Sequence, residues 1–253
     1  MSALPQTVPS EVVLVVNGDD FGRSPGINRG ILECFDHGIL TSASLMTLWP
    51  GSAEAAAAAL ERPALGVGLH VDLGEWAYSE GAWRCTYLRT PLDDPHAVRA
   101  EIDRQLRAFR RLLDRDPSHI DSHQHVHREE PTRSILAGLA TSLGIPLRHY
   151  TVGVRYRGDF FGQMTTGERR PDALSAAALV DIIESLPTGT TELCCHPGYA
   201  DDLVTTYQRE RAVEIETLCD PRVRAAIDGS GIELRSFTAL SGDYRSSARY
   251  PPS

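Results

Sequence analysis

Short apolar runs alternate with longer amphipathic segments along almost the whole chain. A chain with that rhythm lays its runs into a parallel sheet and covers them with helices. Val12–Val16 reads as a buried strand. The helix that follows opens on Ser24-Pro25, a cap residue and a favoured first position, and stops near His37 ahead of Gly38. Ala43–Leu48, Val67–Leu73, His119–Ser122, Pro146–Tyr150, Thr191–Cys195 and Ile232–Leu234 are further strand segments. Helices are expected over Ser52–Leu60, Pro95–Leu113, Pro131–Leu143, Asp172–Ser185 and Gln208–Cys219. The Pro95 segment is the clearest, because Val98, Ile102, Leu106, Phe109 and Leu113 recur at helical steps. Residues 74–94 carry Trp76, Tyr78, Trp83 and Tyr87 among glycines and read as a long aromatic loop. The pattern predicts an α/β fold, a (β/α) barrel, with an open doubly wound sheet as the alternative that patterning alone does not separate. No linker or repeat divides the 253 residues, so a single domain is expected, with 1–11 and 242–253 as peripheral tails.

Composition removes several chemistries. The 25 basic residues are all arginine. Schiff-base catalysis, lysine-anchored pyridoxal phosphate and a Walker-type phosphate loop all need a lysine amine, so none fits. A net charge of -9 argues against nucleic acid as a partner. The five cysteines are odd in number and lack Cys-x-x-Cys spacing, which suits reduced thiols in a cytoplasmic protein. The N-terminus is polar and broken by proline, and no run is long enough for a membrane span. The partner expected is a small molecule, and the composition is compatible with a homo-oligomer.

Chemistry-bearing residues sit at the ends of the expected strands, the edge where barrels of this kind assemble active sites. The first strand ends at Asn17-Gly18-Asp19-Asp20, the third carries His70, and the fourth runs into Asp121-Ser122-His123-Gln124-His125-Val126-His127. Arg148 lies on the fifth and His196-Pro197-Gly198 follows a late one. Four of the nine histidines fall between 119 and 127. Histidine and carboxylate together suit zinc and other divalent ions, and an incomplete ligand set is the arrangement that activates water. Adjacent aspartates are ordinarily a solvated turn, but this pair follows a buried strand. On an extended backbone neighbouring side chains point opposite ways, so Asp19 and Asp20 can divide two roles. The glycines around His70 permit close backbone approach. Cys194 and Cys195 read as small hydrophobes in the core.

Taken together, Asn17-Gly18-Asp19-Asp20-Phe21-Gly22, Leu40-Thr41-Ser42-Ala43-Ser44, Gly68-Leu69-His70, the segment His119 to His127, and Cys195-His196-Pro197-Gly198-Tyr199 resemble the YdjC-type carbohydrate deacetylases. The match runs over roughly residues 12–240 in the family's order. The resemblance implies a distorted (β/α) barrel that removes N-acetyl groups from amino sugars, releasing acetate and a free amine. It implies one divalent metal, zinc or magnesium with manganese or cobalt as substitutes, held by Asp20, His70 and His123. Asp19 then takes the place of the general base and His196 that of a proton donor or oxyanion partner. Asn17, Asp121, His125, His127 and Arg148 are expected to support these groups or to contact the sugar. Two rival readings are a glycosidase with paired carboxylates and a non-catalytic sugar-binding protein.

Overall fold

The computed structural model describes residues 11–199, 201–203 and 205–244, with side chains to residue 240. Most of the tails expected at the two ends lies outside the described residues. The elements in chain order are β1 (Val12–Phe21), α1 (Pro25–His37), β2 (Ser42–Leu45), α2 (Ser52–Leu60), β3 (Gly66–Val71), β4 (Gly74–Ser79), β5 (Ala82–Leu88) and α3 (Pro95–Leu113). There follow β6 (Ile120–Ser122), a 3₁₀ turn over His123–Arg128, α4 (Thr132–Leu143), β7 (Val154–Arg157), α5 (Ala176–Glu184), β8 (Gly189–Cys195), α6 (Gln208–Leu218), α7 (Pro221–Gly229), β9 (Glu233–Leu234) and α8 (Phe237–Tyr244).

The main sheet runs β6-β3-β2-β1-β8-β7, and β9 adds to the start of β1. Every pairing in it is parallel. The sheet curls without closing, a half-barrel that matches the distorted barrel expected. Strands β1, β2 and β3 are buried almost throughout, as parallel strands covered on both faces must be. Helix α1 starts where Ser24 accepts from the Ile27 amide with Pro25 at its first position. Helix α3 starts where Asp94 accepts from His96 and Ala97. It then buries Val98, Ile102, Leu106, Phe109 and Leu113 against the sheet. The flanking glycine Gly68 proves to be a close-approach position, since a Cβ there would lie 2.4 Å from the His119 ring. Among the described residues no helix is long and apolar enough to cross a membrane.

Three expectations need correction. Residues 74–94 are not an open loop: β4 and β5 form an antiparallel hairpin closed by Glu80 and Gly81, at φ 51° and 82°. Two central residues with positive φ make the twisted turn that hairpins favour. Pro146–Tyr150 is not a strand. Leu147 makes only an isolated bridge to Ile120, and the chain then turns where the Leu147 amide donates to Thr151 Oγ1. His149 at φ 70° cannot sit in an extended ladder. The strand that pairs with β8 at this edge is instead β7, whose Val-Arg-Tyr-Arg alternates as a strand should but is only four residues long. The helix expected over Asp172–Ser185 is broken into a 3₁₀ turn at Pro171–Leu174 and α5, because Ser175 caps a new start through the Ala178 amide.

Candidate metal centre and active site

The carboxyl ends of β1, β3, β6 and β8 converge on a cavity of about 670 Å³. Asp19, Asp20, His70, His123 and His196 all line it. Strand alternation would send Asp19 and Asp20 to opposite faces, yet both reach this cavity. The reason is local: the β1–β2 register shifts between Gly18 and Phe21, and Asp20 sits at φ 70°. A non-glycine residue in the left-handed region is uncommon and costs energy, and such conformations gather at functional sites.

Asp20, His70 and His123 each present a ligand atom within 4.8 Å of the other two. Asp20 Oδ1 lies 3.5 Å from His70 Nε2 and 3.1 Å from His123 Nδ1. Asp20 Oδ1, His70 Nε2 and His123 Nε2 are buried without a hydrogen-bond partner. Unpaired buried polar atoms are expensive, and Asp20 Oδ1 and His70 Nε2, 3.5 Å apart and both unpaired, fit a bound cation. The donor set, two imidazoles and a carboxylate, is that of a divalent metal site.

Two of the three are braced from behind. His70 Nδ1 meets Asp121 Oδ1 at 2.7 Å, the carboxylate–histidine pairing that orients metal-binding imidazoles. Burial pulls the His70 ring down, but Asp121 and then Asp19 outweigh it and push the ring up to about 10. Surroundings that hold a proton so firmly also attract a metal cation. Asp20 Oδ2 accepts from Arg211, with Arg23 at 3.8 Å. Burial pushes the Asp20 carboxyl up, and Arg211 and His123 more than reverse this, holding it well below the usual range.

Asp19 has its own donors, joined to His70 through Arg148 and Asp121. Arg148 donates to both its oxygens, Asn17 Nδ2 donates to Oδ1 at 2.9 Å, and Cys194 Sγ donates to Oδ2 at 3.4 Å. Arg148 also pairs with Asp121 at 2.8 Å and Glu192 at 2.7 Å. Burial raises the Asp19 carboxyl, but the Arg148 guanidinium wins and lowers it. Arg148, Asn17 and Asp121 are buried and are not among the residues that line the cavity.

His196 stands across the cleft, with Nε2 3.9 Å from Asp19 Oδ2. Its backbone amide donates to Glu214, whose other oxygen accepts from the Tyr207 hydroxyl at 2.6 Å. Its ring meets Phe161 and Tyr207 edge-on. Burial lowers the ring to about 4, so it is neutral near pH 7. Nδ1 has no partner.

His125 lines the cavity, and His127 is fully buried behind it. Burial, followed by Arg148, lowers His125 and His127 to about 3 and the neighbouring His149 to about 4. Gln124 hydrogen-bonds the Trp76 backbone amide and carbonyl like a strand neighbour, which pins the hairpin beside the histidine turn. Trp76, Tyr78 and Trp83 thereby form one wall of the cavity.

Sequence reasoning missed Arg211, Glu214, Tyr207 and Arg23. The available signal was in α6, where Glu210, Arg211 and Glu214 are buried on a helix with no clean apolar stripe. Charged residues at those positions mark a helix that faces a site.

The YdjC-like protein family profile matches residues 13–229. This chain belongs to the YdjC-like family. The chitooligosaccharide deacetylase of Serratia marcescens is 31% identical to it over 260 residues, covering 91% of this chain and 100% of that protein. The carbohydrate deacetylase of Geobacillus stearothermophilus is 31% identical over 250 residues, covering 88% and 96%. Among solved structures, a protein of Enterococcus faecalis V583 superposes with a TM-score of 0.69 at 24% identity, covering 91% of this chain and 99% of that one. A family 4 carbohydrate esterase from Streptomyces lividans superposes at 0.55 with 14% identity, covering 89% and 92%. These two likenesses show the fold alone: this chain shares its half-barrel with both proteins.

Proposed function

We propose that this YdjC-like protein is a metal-dependent carbohydrate deacetylase that hydrolyses the acetamido group of an amino sugar. The observation that carries the reading is the ligand set Asp20, His70 and His123, with unpaired buried atoms on Asp20 and His70, and Asp19 beside it. The named activities of the relatives support it. Asp20, His70 and His123 hold one divalent ion, and two imidazoles with one carboxylate favour zinc, with magnesium, manganese or cobalt as substitutes. Bound there, the ion supplies activation of water and polarisation of the acetyl carbonyl.

The chain's own residues do the rest. Asp19, aimed by Arg148 and Asn17, takes the proton from the attacking water. Positioned bases of this kind contribute about 10²–10⁴-fold. A carboxylate kept acidic by Arg148 also gives that proton up readily. His196 is neutral at rest, so it receives a proton during the reaction and passes it to the departing amine nitrogen. Water adds to the acetyl carbon, the C–N bond breaks, and acetate and free amine leave. The hairpin aromatics Trp76, Tyr78 and Trp83 offer flat apolar faces for sugar rings.

A paired-carboxylate glycosidase needs one carboxylic acid whose pKa is raised. Both Asp19 and Asp20 are lowered by arginines, and the two carboxyls that burial raises, Glu192 and Glu214, do not line the cavity, which disfavours that reading. The five free thiols, three of them buried, support a reducing, cytoplasmic setting. The decisive experiment measures acetate release from N-acetylated mono- and oligosaccharides, with and without chelator and with each metal restored. Saturable sugar binding without acetate under every metal condition overturns the reading in favour of a binding protein.

A further inference from the structure

A second histidine cluster stands at the rim of the cleft. His125, His127 and His149 each offer a ring nitrogen within 4.8 Å of the other two, and none belongs to the Asp20 set. His125 Nδ1 lies 3.4 Å from His149 Nε2. Metal–imidazole bonds of the usual length in a tetrahedron place two ligand nitrogens about 3.3 Å apart, so this pair already spans one tetrahedral edge. His127 is 0% exposed and its Nε2 has no hydrogen-bond partner. Left in that state a buried ring nitrogen is costly; a bound ion would satisfy it.

The outer nitrogens of two rings are held in the way metal-binding imidazoles require. His127 Nδ1 is 2.6 Å from Ser122 Oγ, and His125 Nε2 is 3.2 Å from the Tyr156 hydroxyl. When these two nitrogens carry the protons and donate outward, the remaining lone pairs on both rings are free for a common ligand. Arg148 nearby is matched by Asp19, Asp121 and Glu192, so its charge does not forbid a cation.

We propose that His125, His127 and His149 form a second metal site that takes one divalent transition ion of the zinc, cobalt or nickel class. Three imidazoles without a carboxylate select against magnesium and calcium. Because His125 faces the cavity, a ligand on that ion would share the cleft with the sugar. The competing account is a His125–His149 hydrogen bond built on one shared proton, which needs no ion.

The test counts zinc by elemental analysis in full-length protein that has been stripped, reloaded with zinc and freed of excess. His149 is exposed, and His149→Phe keeps its ring contacts with His127 and Tyr156 while removing both nitrogens. Two zinc ions per chain are expected in the wild type, one in His149→Phe, one in His70→Ala and none in the double variant. Cobalt(II) added to His70→Ala should give the strong visible absorption of a tetrahedral ion, and His149→Phe should remove it. Equal zinc content in wild type and His149→Phe, with no cobalt spectrum in His70→Ala, overturns the second site. The zinc lost on His70→Ala is counted separately, so failure here leaves the deacetylase reading standing, and the reverse also holds.

Discussion

Arg148 grips both oxygens of Asp19, with Nη1 2.7 Å from Oδ2 and Nη2 2.8 Å from Oδ1. The two residues are 129 positions apart in the chain and meet behind the cavity. The pairing fixes the direction of the Asp19 carboxylate and lowers its pKa. Lysine keeps the charge but cannot make the planar fork. Arg148→Lys should therefore retain metal while turnover drops roughly 10–100-fold, the usual cost of removing an orienting partner. The acid limb of kcat/KM should also move to higher pH, because a less firmly paired carboxylate binds its proton more tightly. An unchanged pH profile beside full metal content would mean that Arg148 only stabilises the fold.

The two aspartates should separate cleanly. Asp20→Asn, His70→Ala and His123→Ala should each lose metal on dialysis, because two remaining ligands hold a divalent ion weakly. Asp19→Asn should keep the metal and lose most turnover. Elemental analysis beside acetate assays reads both quantities. Full occupancy in either histidine variant removes that residue from the ligand set.

A prediction about stability comes from Gly68, whose added Cβ would meet the His119 ring at 2.4 Å. His119 is fully buried, stacks on Phe237 with centroids 4.1 Å apart, and bonds Ser44 Oγ at 2.9 Å. Gly68→Ala should cost about 1–3 kcal/mol through overpacking. Most of that cost should vanish in a His119→Ala background, where the space is open. Urea midpoints for the four proteins check this, and strictly additive losses contradict it.

His119 also makes stability depend on pH. Burial lowers its ring to about 4, against about 6.5 in an unfolded chain. Between those values the unfolded chain binds a proton that the folded one refuses. This contribution is therefore complete above about pH 6.5 and is lost as pH falls toward 4. His119→Gln should flatten the fall in melting temperature over that window. A parallel fall in both proteins would assign it to other groups.

How far the sequence could be read follows from what each signal depends on. Val12–Val16 and the Pro95–Leu113 helix were legible because hydrophobic period and caps are local, and both lie where expected. That Asp19, Asp20, His70, the histidine run from His123 and His196 would gather was legible because strand ends share an edge in such a sheet, while the choice of Asp20, His70 and His123 among them rested on the family resemblance. The shared orientation of Asp19 and Asp20 was not, because it arises from a register shift and a left-handed φ that no residue type there announces. The hairpin did carry a signal, since Trp83, Cys85 and Tyr87 alternate with Arg84 and Thr86, but β5 is exposed almost throughout and the alternation marks no buried face. Arg211 reaches Asp20 across 191 positions, a contact only the tertiary fold creates.

The last prediction concerns His196. If it hands a proton to the leaving amine, its loss should depend on what leaves. An amide nitrogen departs poorly without protonation, whereas the alcohol of an activated ester departs unaided. His196→Ala should then depress turnover of an acetamido sugar by about 10²–10⁴-fold and that of an activated acetate ester far less. A histidine acting only as an oxyanion donor would impair both equally, because both pass through the same charged tetrahedral centre. A structural role alone predicts lower stability, through the Glu214 and Tyr207 contacts, with near-normal kinetics in the folded fraction. The neutral resting state adds a further check. Because burial holds the ring at about 4, the free enzyme carries no proton there near pH 7, and it must be acquired from the attacking water through Asp19, 3.9 Å away. Asp19→Asn and His196→Ala should therefore not multiply on the amide: the double variant should be little slower than the slower single one. Full multiplication of the two losses would show that the proton reaches the amine by another route.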